Sequence, residues 1–168
     1  MNKFLFPLTA VALCFTAHQA MAAAADGTGT AKAKIIAPIT VTETTPMNFG
    51  TLKNDTAAYT VTLNTSDTRS GGDENYVNDS DNPVKSGEFE VTNASGINTA
   101  ATLTVGNATI KDNNGTGSNS MLVDNMSHNM GANVPADGAK IKVGGTLHVG
   151  ANQEPGTYTG TYNVTLSY

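Results

Sequence analysis

The sequence predicts an all-β fold, either an antiparallel β-sandwich or a small β-barrel. Three observations point there. Apolar and polar residues alternate in short runs rich in threonine and valine, the period of a half-buried strand. Clusters of Gly, Asn, Asp, Ser and Pro separate these runs. No segment carries an apolar stripe at helical spacing.

The start of the 168-residue chain reads as an export signal. Lys3 supplies a positive charge, Phe4 to Phe15 is apolar apart from Pro7 and Thr9, and Ala20, Met21 and Ala22 form a small-x-small cleavage pattern. Cleavage is expected before Ala23. Residues 1–22 are then a signal peptide, 23–32 a flexible N-terminal arm and 33–168 a single domain. The leader is too short to span a bilayer and no long apolar run follows it, so the mature chain is expected to be secreted with no membrane span. The only cysteine, Cys14, lies in the leader behind Leu13, where a lipoprotein signal wants a small residue. The mature domain is left without a disulfide, so its core and ladders must stabilise it.

The elements follow in order. Ala33, Ile35, Ala37, Ile39 and Val41 alternate with Lys34, Ile36, Pro38, Thr40 and Thr42, predicting a first strand. Pro38 cannot donate to a ladder, which puts it at an edge or bulge. Residues 49–52 follow a turn near Thr45 and Pro46. Tyr59, Val61 and Leu63 alternate with threonines and form the next strand. Residues 64–87 read as a long polar loop with a short strand at Tyr76 and Val77. Phe89 with Val91, then Leu103 with Val105, mark two further strands, and 107–110 a short one.

Residues 112–120 form a turn-rich hinge containing the hairpin dipeptide Asn114-Gly115. Met121 to Met126 is a strand, 131–138 a loop, and His128 sits in a loop segment between Met126 and Met130. Ile141 and Val143, then Leu147 and Val149, flank Gly144 and Gly145, giving either a hairpin or one strand broken by a bulge. Pro155 and Gly156 turn the chain into a last strand over 157–168. There Tyr158, Gly160, Tyr162, Val164, Leu166 and Tyr168 share one face, and Thr157, Thr159, Thr161, Asn163, Thr165 and Ser167 the other. A terminal strand this regular is a structural edge, a sheet closure or an assembly surface.

Charge and motifs argue against several functions. Loss of Lys3 with the leader takes net charge from −5 to −6, which attracts neither nucleic acid nor anionic lipid. His128 and His148 are the mature histidines, at no metal-ligand spacing, and His148 falls on the polar face of a strand. Arg69, Ser70, Gly71 and Gly72 read as a turn. Asp73, Glu74, Asp79 and Asp81 match no calcium-loop spacing and read as a solvated loop. No nucleophile elbow and no phosphate-binding glycine loop is present. No catalytic, cofactor-binding or metal-binding residue is assigned, and the chain is expected not to be an enzyme.

Two segments carry a resemblance. One is 36–52, with Met47, Asn48, Phe49, Gly50 and Thr51 at its end; the other is 143–168. Together they resemble the bacterial domain of unknown function family number 4402. That family in turn resembles the spore-coat-U-like and chaperone–usher pilin subunits. Their C-terminal strand has alternating apolar residues, a glycine about a dozen residues from the end and a final aromatic; Gly156 and Tyr168 fit that spacing.

The resemblance implies an Ig-like, pilin-like sandwich and a structural subunit of a surface appendage or coat in a bacterium with an outer membrane. It also implies a periplasmic chaperone and an outer-membrane usher as partners, a homo-oligomer or polymer as product, and a periplasmic route to the cell surface or fimbrium. Assembly would use β-strand complementation. The interface residues it implies are Ala33, Ile35, Ala37, Ile39 and Val41 at one end and Tyr158, Tyr162, Val164, Leu166 and Tyr168 at the other. Residues 33–39 serve either as a donor strand or as the domain's own first strand. The alternatives are a monomeric secreted binding module or adhesin for glycans or a host surface, and a self-complete sandwich whose last strand lies between two others.

Overall fold

A computed structural model describes residues 25–112 and 119–168. The expected signal peptide over 1–22, Cys14 and the Asn114-Gly115 dipeptide lie outside the described residues. Met1–Lys34 and Ile35–Tyr168 separate as two units. The described part of the first, 25–34, is exposed and without regular structure.

The second unit is all-β, as expected, with twelve strands among the described residues: β1 Thr40–Thr45, β2 Thr51–Leu52, β3 Tyr59–Leu63, β4 Arg69–Ser70, β5 Tyr76–Val77, β6 Gly87–Thr92, β7 Thr102–Val105, β8 Ala108–Asp112, β9 Ser120–His128, β10 Lys140–Val149, β11 Tyr158–Thr159 and β12 Val164–Ser167. An eight-stranded sheet runs β1-β6-β10-β9-β8-β11, with β3 on β10 and β4 on β3. It curls into a half-barrel. The pairs β12-β7 and β2-β5 form two small sheets.

Alternation explains the inside. Val61 and Leu63 are fully buried while Thr60 and Thr62 face out; Phe89 and Val91 do the same on β6. The core has two clusters. Val61, Ala108, Val123, Leu147 and Val149 form one, and Val91, Ala94, Leu103, Val134 and Ile141 the other. Each fully buried valine, leucine or isoleucine contributes about 1.5–3 kcal/mol.

Strand β10 joins both clusters. It pairs with β6 over 140–143 and with β3 over 145–149, and its register with β9 slips between Gly144 and Thr146. The glycine pair therefore lies within one continuous strand, and the bulge is in its partner β9, where Asn125 and Met126 together face Gly145. A β-carbon on Gly144 would strike the Leu63 carbonyl, so only glycine lets β10 pass this close as it changes partner.

Three expectations need correction. The first strand starts at Thr40, not Ala33, because its partner β6 ends at Thr92 opposite Thr40, and Pro38 just before it has no N–H to extend a ladder. His128 is the last residue of β9 rather than a loop residue. The last strand is two pieces, β11 on β8 and β12 on β7. The register shifts by one residue between them, and the break spans 160–163. At Gly160 a β-carbon would meet the Thr109 carbonyl 2.5 Å away, so the two segments touch backbone to backbone there.

The loop over 64–87 is more ordered than its composition suggests. It holds β4, β5 and a 3-10 turn at Asp73–Asn75. The Arg69 guanidinium lies 4.1 Å above the Tyr76 ring and donates to the Gly71 carbonyl at 2.8 Å.

Candidate functional site

The first and last strands of the second unit meet along one seam. β1 ladders with β6 on one side, and β12 ladders with β7 on one side. Their other edges come side by side, and no ladder joins them among the described residues. β12 is thus an edge strand, not one between two others. Across the seam the Ile39 backbone N–H donates to the Tyr168 hydroxyl at 3.2 Å. A side chain takes the donor that a strand partner's carbonyl would otherwise accept.

The interface residues expected from sequence fall into three groups. Ile39, Val41, Val164 and Leu166 are half-buried against the cluster around Val91, Leu103 and Ile141. They line the inside of the seam and belong to the domain's own core. Ala33, Ile35 and Ala37 are exposed and in no strand; Ile35 is 96% exposed and its neighbour Ile36 44%. Tyr168 is also exposed, at 53%. The segment 33–41 is therefore divided near Pro38, with own-strand residues after it and uncommitted ones before it.

Tyr158 and Tyr162 lie away from the seam's open edge. The Tyr158 hydroxyl donates to the Glu154 carbonyl at 2.7 Å and accepts from Gln153 Nε2 at 2.9 Å, tying down the turn before β11. Tyr162 packs edge-to-face on Phe89, ring centroids 5.9 Å apart. Its hydroxyl is buried and has no hydrogen-bond partner among the described residues. Burial first, and then the Glu43 carboxylate, push its phenol pKa up.

Several charged side chains are tied into structural contacts. Asp67 accepts the Ser86 N–H at 2.8 Å, the Ser86 hydroxyl at 2.7 Å and Lys142 Nζ at 2.7 Å. Lys142 foremost, then Ser86, hold its carboxyl well below the usual range. Of the acidic loop, Asp73 pairs with Arg69 at 3.3 Å and Asp79 accepts the Thr51 hydroxyl at 2.8 Å. Among the described residues no group of three or more His, Asp or Glu is placed to hold a metal ion. His148 lies on the outer face as expected, with Nε2 2.8 Å from Asp124 Oδ1. Sequence reasoning missed Asp124 and Leu122, because their partners follow from the β9–β10 register.

No curated protein and no solved structure matches this chain. Residues 39–168 match the family described as Domain of unknown function (DUF4402), a match that begins at the seam residue Ile39 and ends at Tyr168. With well over half its length matched, the chain belongs to the DUF4402 family.

Proposed function

We propose that the chain is a secreted structural subunit of a bacterial surface appendage or coat, related to spore-coat-U-like and chaperone–usher pilin subunits. It assembles by β-strand complementation, with a periplasmic chaperone and an outer-membrane usher as partners in transit. The observation that carries this reading is the seam. Among the described residues two strand edges, β1 and β12, stand without a ladder between them, and an exposed apolar segment, Ile35 and Ile36, lies just before β1. An unpaired edge offers a row of backbone donors and acceptors to an added strand. In the proposed assembly, residues 33–37 of one subunit add to the seam of the next.

The test removes residues 23–37 and compares unboiled cell-surface extracts on a denaturing gel. Wild type is expected to run as a ladder of multimers and the truncated chain as monomer. A wild type that runs only as monomer would overturn the proposal.

A further inference from the structure

The ladder registers on either side of β10 build an outer surface that the seam does not use. His148 pairs with Thr60 on β3 and with Leu122 on β9; Thr146 pairs with Thr62 and Asp124. Between these rows, Leu147 pairs with Val61 and Val123, all three buried in the core. Alternation therefore turns Thr60, His148 and Leu122, and the next row Thr62, Thr146 and Asp124, to the opposite, outer face. The second row is internally bonded: the Thr62 and Thr146 hydroxyls lie 3.0 Å apart, and Asp124 holds the His148 ring through Nε2.

Beyond Val149 the chain leaves the sheet at a turn, and a cleft of about 330 Å³ opens between the starts of β3 and β9. Tyr59, Thr60, Ser120, Leu122, His148 and Gln153 are among its lining residues, and none of the lining residues is Asp, Glu, Lys or Arg. Hydroxyl, amide and imidazole groups offer directed hydrogen bonds there, beside the side chain of Leu122, 43% exposed. One of the two Gln153 amide N–H groups is given to Tyr158, which orients the amide.

We infer that this cleft binds a neutral carbohydrate of one or two sugar rings. With no carboxylate, ammonium or guanidinium group in the lining, an ionic ligand finds no fixed countercharge there. A pyranose matches it, with hydroxyls on its edge for the polar groups and C–H bonds on its face for Leu122. The volume lies at the small end of ligand clefts, which sets the size. A peptide strand does not suit the site: β10 is paired on both edges over 146–148, so no free backbone ladder is offered.

The test applies the purified protein to an array of immobilised neutral and sialylated oligosaccharides. Neutral members are expected to be retained. Gln153→Ala, Thr60→Val and Leu122→Asp are expected to weaken that binding at least tenfold; Thr60 and Leu122 are exposed, so those two variants should keep the thermal midpoint, whereas Gln153→Ala also loses the bond to Tyr158 and is read against them. Retention of sialylated members alone, of no member, or equal binding by the three variants would overturn the inference. The readout is independent of assembly, so a failed gel ladder and a failed array point to different errors.

Discussion

The Tyr162 hydroxyl fills the space beside Gly87 that a β-carbon there would occupy. One residue on β6 and one in the break of the last strand are thus fitted to each other. The fit leaves the hydroxyl buried without a partner among the described residues, an arrangement that costs free energy unless a water reaches it.

Gly87→Ala is expected to destabilise the domain by about 1–3 kcal/mol through this overlap. Tyr162→Phe removes an unsatisfied hydroxyl and is expected to be neutral or stabilising by up to about 1 kcal/mol. With the hydroxyl gone, the nearest ring atom, Cζ, lies 3.5 Å from the added β-carbon, an ordinary contact. The double variant should therefore recover most of the alanine cost. Urea unfolding of the four proteins checks this; strictly additive effects would refute the fit.

Gly144 and Gly131 make a second contrast. A β-carbon on Gly144 meets the Leu63 carbonyl and lies 3.1 Å from the Asn64 α-carbon, both on the main chain. Neither can rotate away, so Gly144→Ala must push β3 off β10. A loss of roughly 3 kcal/mol or more is expected, or failure to fold. Gly131 has nothing within 4 Å. Gly131→Ala should stay within about 0.5 kcal/mol of wild type. Thermal unfolding of the two variants side by side reads the difference.

Asp67 predicts the acid limb of stability. Its carboxyl titrates lower in the folded chain than in the unfolded one, where about 3.9 is usual. A depressed folded pKa contributes stability that is fully present above the unfolded value and is lost as pH falls towards the folded one. Urea midpoints should hold from pH 7 to about 5 and fall below about 4. Asp67→Asn keeps an acceptor for Ser86 but loses the ion pair with Lys142. It should cost about 1–2 kcal/mol at pH 7 and flatten the acid slope. Glu88, lowered chiefly by Lys140, leaves part of that slope in place. An unchanged slope in the variant would show that Asp67 is not the group responsible.

Local pattern carried the inner faces and not the pairings. Val61, Leu63, Phe89 and Val91 were legible because a period of two leaves one arrangement for a strand with one buried face. Gly144 and Gly145 were ambiguous because a hairpin and a single strand share the same residues; the choice depends on β6 and β3 lying on one side of β10. The start of β1 was misplaced because Ala33 to Val41 alternates as well before Pro38 as after it, and only pairing with β6 selects Thr40. The Ile39–Tyr168 bond joins residues 129 apart in sequence, and no local signal encodes it. The pairing of His148 with Asp124 depends on the β9 register, which slips by a bulge at Asn125, held at φ 47°.

The division of the N-terminal segment near Pro38 gives the last prediction. Val41 pairs with Val91, which is fully buried, and packs on that cluster. Val41→Asp places a charge against the core and should cost about 2–4 kcal/mol. Ile35 is almost fully exposed and has no place in the subunit's own ladders. Ile35→Asp should leave the unfolding midpoint of the isolated subunit unchanged. If 33–37 is the donor, the same substitution puts a carboxylate into the neighbour's apolar seam, and multimers should disappear from unboiled extracts. The two readouts separate the roles: stability reports the subunit's own strand, and the gel ladder reports the donated one. A stable Ile35→Asp subunit that still multimerises would remove 33–37 from the interface. An unstable one would return Ile35 to the domain's own fold, and in either case the donor would have to be sought elsewhere in the chain.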